Sequence, residues 1–126
     1  MSDTVPFALR HRCLVLDDEF LIALDIQQIL ESAGANVICV SSAAKALEAI
    51  QNGPPFDLAV LDVKLAGEAG GSITVAATLA AQGTPFVFLT GLRGEAEHTR
   101  SFPQAPVVEK PYETATLLAA LRRATS

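Results

Sequence analysis

The chain has 126 residues, enough for one domain with a substantial buried core. Half of it is apolar and 18% is charged, a balance that excludes a disordered chain. The net charge of −5 lacks the basic excess that nucleic-acid or anionic-membrane binding draws on, and no apolar run approaches the roughly 18 residues of a membrane span.

The start, Met1 to Pro6, carries no basic-then-apolar secretory pattern; residues 1–10 read as an N-terminal tail, with one domain over 11–126. The first strand candidate is Cys13–Leu16. Ile22, Ile26, Ile29, Leu30 and Ala33 then recur at helical spacing, and Gly34 ends that helix. Val37–Val40 reads as a second strand. Ser42 is placed to cap a helix carrying Ala43, Ala46, Leu47 and Ile50, which stops at Gly53-Pro54-Pro55. A third strand, Leu58–Leu61, precedes a helix carrying Ile73, Ala76, Ala77 and Ala80 and ending at Gly83. A fourth, Phe86–Leu89, leads into Arg93–Ala105, a polar segment without an apolar stripe, so a helix there is expected to be short, frayed or absent. Pro106–Val108 is the fifth strand, and Leu117, Leu121 and Ala124 mark a last helix.

These strand candidates are nearly continuous in apolar character, as parallel strands covered on both faces are. The order of elements predicts an α/β fold, a doubly wound (βα)5 flavodoxin-like sheet of order 2-1-3-4-5. Cys13 and Cys39 both fall in strand candidates and read as reduced core thiols, consistent with a cytoplasmic protein. His11 and His98 show no metal-ligand spacing and read as surface residues.

In such a sheet the ligand crevice lies at the carboxyl ends of the strands. The residues there are Asp17, Asp18 and Glu19 after the first strand, Asp62 after the third, Thr90 and Gly91 after the fourth, and Glu109, Lys110 and Pro111 after the fifth. Singly, each has a plainer reading: helix caps for Asp17 and Asp18, a loop carboxylate for Asp62, ordinary surface groups for Thr90 and Lys110. At four adjacent strand ends they make a pocket of three carboxylates, a hydroxyl and an ammonium. Carboxylates so crowded repel unless a cation lies between them, and Mg²⁺, with its preference for oxygen ligands, suits the set. A metal-bound carboxylate pocket can draw in a phosphoryl group, and a carboxylate nucleophile can accept it as an acyl phosphate.

Leu14-Val15-Leu16-Asp17-Asp18-Glu19, Leu61-Asp62-Val63, Leu89-Thr90-Gly91 and Glu109-Lys110-Pro111-Tyr112, at intervals of 45, 28 and 20 residues, resemble the receiver domain of two-component response regulators over residues 11–124. The resemblance implies that Asp62 is the phosphoacceptor and that Thr90 and Lys110 engage the phosphoryl group. It implies Mg²⁺ held by Asp18 and Asp62, by Asp17 through water, and by the backbone carbonyl of Lys64. It implies a cis Lys110–Pro111 peptide bond, a sensor histidine kinase or phosphotransfer protein as donor, and a downstream protein partner. A monomer or weak homodimer is expected, and not an enzyme beyond its own phosphotransfer and dephosphorylation.

Pro85-Phe86-Val87-Phe88-Leu89-Thr90-Gly91 resembles the signature of the PFxFATGY-type single-domain subset, which is often paired with HWE-type histidine kinases. Two departures stand out. Ala66 replaces the proline usual four residues after the acceptor, and Val107 replaces the aromatic switch residue three before the lysine. Alternatives are a pseudo-receiver that binds partners without phosphorylation and an aspartyl-nucleophile phosphatase. The phosphatase would call for Asp-x-Asp after the first strand, where this chain has adjacent aspartates.

Overall fold

The computed structural model describes residues 12–63, 71–91 and 99–125. The elements run β1 (Arg12–Leu16), α1 (Phe20–Ser32), β2 (Asn36–Val40), α2 (Ala43–Asn52), β3 (Leu58–Asp62), α3 (Gly71–Ala81), β4 (Phe86–Thr90), β5 (Val107–Glu109) and α4 (Thr114–Thr125). All strand pairs are parallel, and the sheet order is β2-β1-β3-β4-β5, as the sequence predicts.

Alternate residues of each strand point to opposite faces, and the core divides accordingly. Cys13, Val15, Leu58, Val60, Val87, Leu89 and Val108 meet Ile26 and Leu30 of α1 and Leu117 and Leu121 of α4. Leu14, Leu16, Ala59, Leu61, Phe86 and Phe88 meet Ala46 and Ile50 of α2 and Val75 and Leu79 of α3. Two helices on each face leave the central strands β1, β3 and β4 almost wholly buried, which explains their unbroken apolar runs.

Helix boundaries follow local chemistry. The Ser42 hydroxyl accepts from the Lys45 N–H at 3.2 Å and caps α2. Helix α3 ends at Gly83, whose φ of +75° belongs to the left-handed region, where a side chain would be strained. At the amino end of the sheet, Arg12 ties two connections together. Its guanidinium lies 4.5 Å from the Phe56 ring centroid, its Nε donates to the Pro54 carbonyl, and its N–H donates to Asp57.

Two contacts add to the sequence reading and one expectation needs correction. The described part of the fourth crossover, residues 99–105, holds no α-helix, in line with the expectation of a short, frayed or absent one, yet it is anchored. Phe102 packs edge-on against Phe86 at 5.6 Å between ring centroids and lies 6.0 Å from Phe88. One aromatic thus does the work of the missing stripe. Cys39 is not a core thiol: β2 is the sheet's edge, and Cys39 is exposed while Cys13 is buried. Finally, Tyr112 packs on the core cluster that includes Leu117 and Leu121 of α4 and sends its hydroxyl to Asp25 of α1. No helix among the described residues is long and apolar enough to cross a membrane.

Candidate functional site

Main-chain hydrogen bonds extend the ladder past the strand ends and fix where the polar residues emerge. The Asp17 N–H donates to Val40 O at 3.2 Å, Val63 N–H to Leu89 O at 2.9 Å, and Lys110 N–H to Thr90 O at 2.8 Å. Asp62 pairs in register with Leu89, and Thr90 with Glu109. Four strand ends therefore open on one edge, and the residues that follow them face a common space.

Carboxylate oxygens of Asp17, Asp18 and Asp62 all lie within 4.8 Å of one another. Asp17 and Asp62 are buried and Asp18 is exposed, so the cluster is a pocket with one open side. Lys110 enters from the β5–α4 connection. Its Nζ lies 3.0 Å from Glu19 Oε1, 3.2 Å from Asp17 Oδ2 and 3.5 Å from Asp62 Oδ2. Thr90 ends β4 as a buried residue at the same edge. The Lys110–Pro111 peptide bond is cis, as the resemblance implies.

Burial by itself would lower the Lys110 pKa. The hydrogen bond with Glu19 and the charges of Asp17 and Asp62 outweigh it, and the ammonium is held above its ordinary value. Even so, the site gathers four carboxylates, Asp17, Asp18, Glu19 and Asp62, three of them within 3.5 Å of the single ammonium. Asp17 Oδ1 accepts from the Glu19 N–H at 2.9 Å, yet the buried Asp17 Oδ2 has no hydrogen-bond partner among the described residues; Lys110 is near it but misaligned. A buried carboxylate oxygen left without a hydrogen bond is costly. A hard divalent cation fits this donor set, which is all oxygen, negatively charged and open to solvent on the Asp18 side.

The structure thus brings together Asp17, Asp18, Asp62 and Lys110 and sets Thr90 at the same edge. Lys64, Ala66, His11 and His98 lie outside the described residues. Three participants were not foreseen. Ser72, in the first turn of α3, is fully buried and donates from Oγ to the Asp62 carbonyl at 2.6 Å. In sequence Glu19 is only part of the acidic run; in the structure it is the carboxylate nearest Lys110 among the described residues. Tyr112 donates to Asp25 Oδ2 at 2.7 Å, a second tie from the segment after Lys110 to α1. A serine opening the helix after Asp62 was the one available signal; the other two contacts span 91 and 87 residues and leave no local trace.

A five-stranded parallel sheet with three aspartates and a lysine at its carboxyl edge defines a CheY-like α/β signalling fold. The chain belongs to the response regulator receiver domain family, whose model matches residues 13–122. It is 38% identical over 71 residues to Sensor protein TorS of Escherichia coli, covering 56% of this chain but only 8% of that much longer protein. A response regulator receiver protein from Sinorhizobium medicae superposes with a TM-score of 0.77 at 28% identity, covering 90% of this chain and 93% of that one. The response regulator PhyR from Brucella abortus superposes with a TM-score of 0.81 at 27% identity, covering 98% of this chain and 51% of that one. Receiver domains are generally not enzymes in the ordinary sense.

Proposed function

We propose that this receiver domain accepts a phosphoryl group on Asp62 from a histidine kinase or phosphotransfer protein, and signals through protein contacts that depend on it. The observation that carries the reading is the convergence of three aspartates within 4.8 Å, with an ammonium 3.5 Å from Asp62. An Asp62 carboxylate oxygen forms the new O–P bond as the N–P bond of the donor phosphohistidine breaks. The electron pair returns to the imidazole nitrogen. Asp17, Asp18 and Asp62 would hold Mg²⁺, with the Lys64 carbonyl as a further ligand, and the metal would offset charge on the transferring group. Lys110 and Thr90 offer an ammonium and a hydroxyl to the phosphoryl oxygens.

Two further observations support a protein donor. Phe20 and Leu21, 75% and 76% exposed, directly follow the acidic residues at the start of α1 and offer apolar surface that a docking protein would cover. The family includes segments of sensor proteins such as TorS. A donor of the HWE type, a cytoplasmic location and a phosphorylation-dependent protein partner complete the proposal. Incubation with acetyl phosphate and Mg²⁺ should add one phosphoryl mass to the wild type and none to Asp62→Asn. An unchanged wild-type mass would favour a phosphorylation-independent binding module.

A further inference from the structure

The shortest contact of Lys110 is not with the acidic triad but with Glu19, at 3.0 Å. Glu19 occupies the position before α1, with extended backbone (φ −93°, ψ 108°), where Ser, Thr, Asp or Asn would normally cap the helix. Its side chain makes no cap hydrogen bond. Its N–H is pinned instead by Asp17 Oδ1 at 2.9 Å, and its carboxylate reaches across 91 residues of sequence to Lys110. The lysine side chain is 14% exposed and the glutamate side chain 59%, so Glu19 is the solvated member of the pair.

The Lys110 ammonium lies 3.0, 3.2 and 3.5 Å from three carboxylates, and it donates a hydrogen bond to the nearest of them, Glu19. A phosphoryl group on Asp62 brings further strong acceptor oxygens and about −1.5 to −2 charge. Those oxygens compete with Glu19 for the ammonium. The Glu19 contact can yield, because its carboxylate is exposed and water can replace the lysine, whereas Asp17 is buried. The Tyr112–Asp25 hydrogen bond keeps the segment after Lys110 on α1, so exchange needs only side-chain movement.

Building on the acceptor role of Asp62, we propose that Glu19 is a positioning residue that holds the Lys110 ammonium in reserve and competes with the phosphoryl group for it, setting how readily Asp62 fills. Time courses with Mg²⁺ and acetyl phosphate, read by intact mass, compare wild type, Glu19→Gln and Glu19→Asp. Glu19→Gln should lower the half-saturating acetyl phosphate concentration by roughly two- to fivefold, the range an exposed ion pair commands, with a smaller change in limiting rate. Glu19→Asp is one methylene shorter and suited to capping α1, so it should behave like Glu19→Gln although it keeps the charge. NMR of the Lys110 ζ group in Mg²⁺-free protein supplies a readout independent of phosphorylation, and its resonances should move in both variants. Unchanged or raised half-saturation in Glu19→Gln, an aspartate variant that matches wild type, or unmoved ζ resonances would each overturn the role of Glu19. A wild type that takes up no phosphoryl group would overturn the acceptor reading itself, and this competition with it.

Discussion

Ser72 Oγ donates a 2.6 Å hydrogen bond to the main-chain carbonyl of Asp62. The bond fastens the end of β3 to the first turn of α3, so the backbone beneath the candidate acceptor is held by a helix as well as by its neighbouring strands. Ser72→Ala should lower stability by about 1–3 kcal/mol, the range for losing a buried hydrogen bond. Urea unfolding measures it. A change below about 0.5 kcal/mol, typical of an unremarkable surface site, would show that the bond carries nothing.

Phe102 anchors the described part of the fourth crossover to Phe86 and Phe88. Truncating a core phenylalanine costs about 3–5 kcal/mol, and Phe102 is only partly buried, so Phe102→Ala should cost about 1–3 kcal/mol. Hydrogen exchange should show the loss of protection concentrated in residues 99–105 and β5. Protection lost evenly across the sheet would argue against a local anchor.

Mg²⁺ should stabilise the protein, because binding to the folded state alone adds about 2.7 kcal/mol at a concentration one hundred times Kd. The melting temperature should rise with added Mg²⁺ and fall back with a chelator. Asp17→Asn and Asp18→Asn should each blunt the rise. A melting temperature indifferent to Mg²⁺ in the wild type would remove the metal from this account.

Stability should fall at alkaline pH. Burial, with the Asp57 charge adding to it, pushes the Cys13 thiol up to about 12 from an ordinary 9.0. The folded state therefore keeps a proton that the unfolded chain releases. This contribution is whole below pH 9.0 and is lost as pH rises toward 12, at about 1.4 kcal/mol per pH unit. Lys110 is also raised, from 10.5, so its contribution has the same sign and begins to be lost above that pH. Chemical denaturation across pH 8–11 tests this. Cys13→Ala should flatten the slope whatever it does to stability at pH 7, and an unchanged slope would refute the assignment.

Much of this architecture can be read without coordinates. The apolar runs of β1, β3 and β4 announce buried parallel strands, and the structure moves their ends by a residue only, taking in Arg12, Asp62 and Thr90 because the ladder continues under a polar side chain. The acidic pocket is legible because topology brings strand ends together and the residue types there are unusual in combination. What escaped depends on position in the sheet or on long-range contact. Cys39 sits in a run as apolar as that around Cys13, and only membership of the edge strand exposes it. Phe102 is one aromatic in a polar stretch, and no periodicity marks it. Glu19 and Lys110 could be paired only after the sheet was assembled.

Glu19 with Lys110, and Tyr112 with Asp25, join the beginning of the domain to its end. A chain emerging from the ribosome exposes its aspartates long before the lysine that balances them has been made. The pocket cannot be finished until β5, the last strand, has docked, so an incompletely folded copy carries crowded negative charge with no ammonium to receive a phosphoryl group. On the proposed reading of Asp62, phosphoryl uptake then waits on completed folding, and a protein halted midway would take up none.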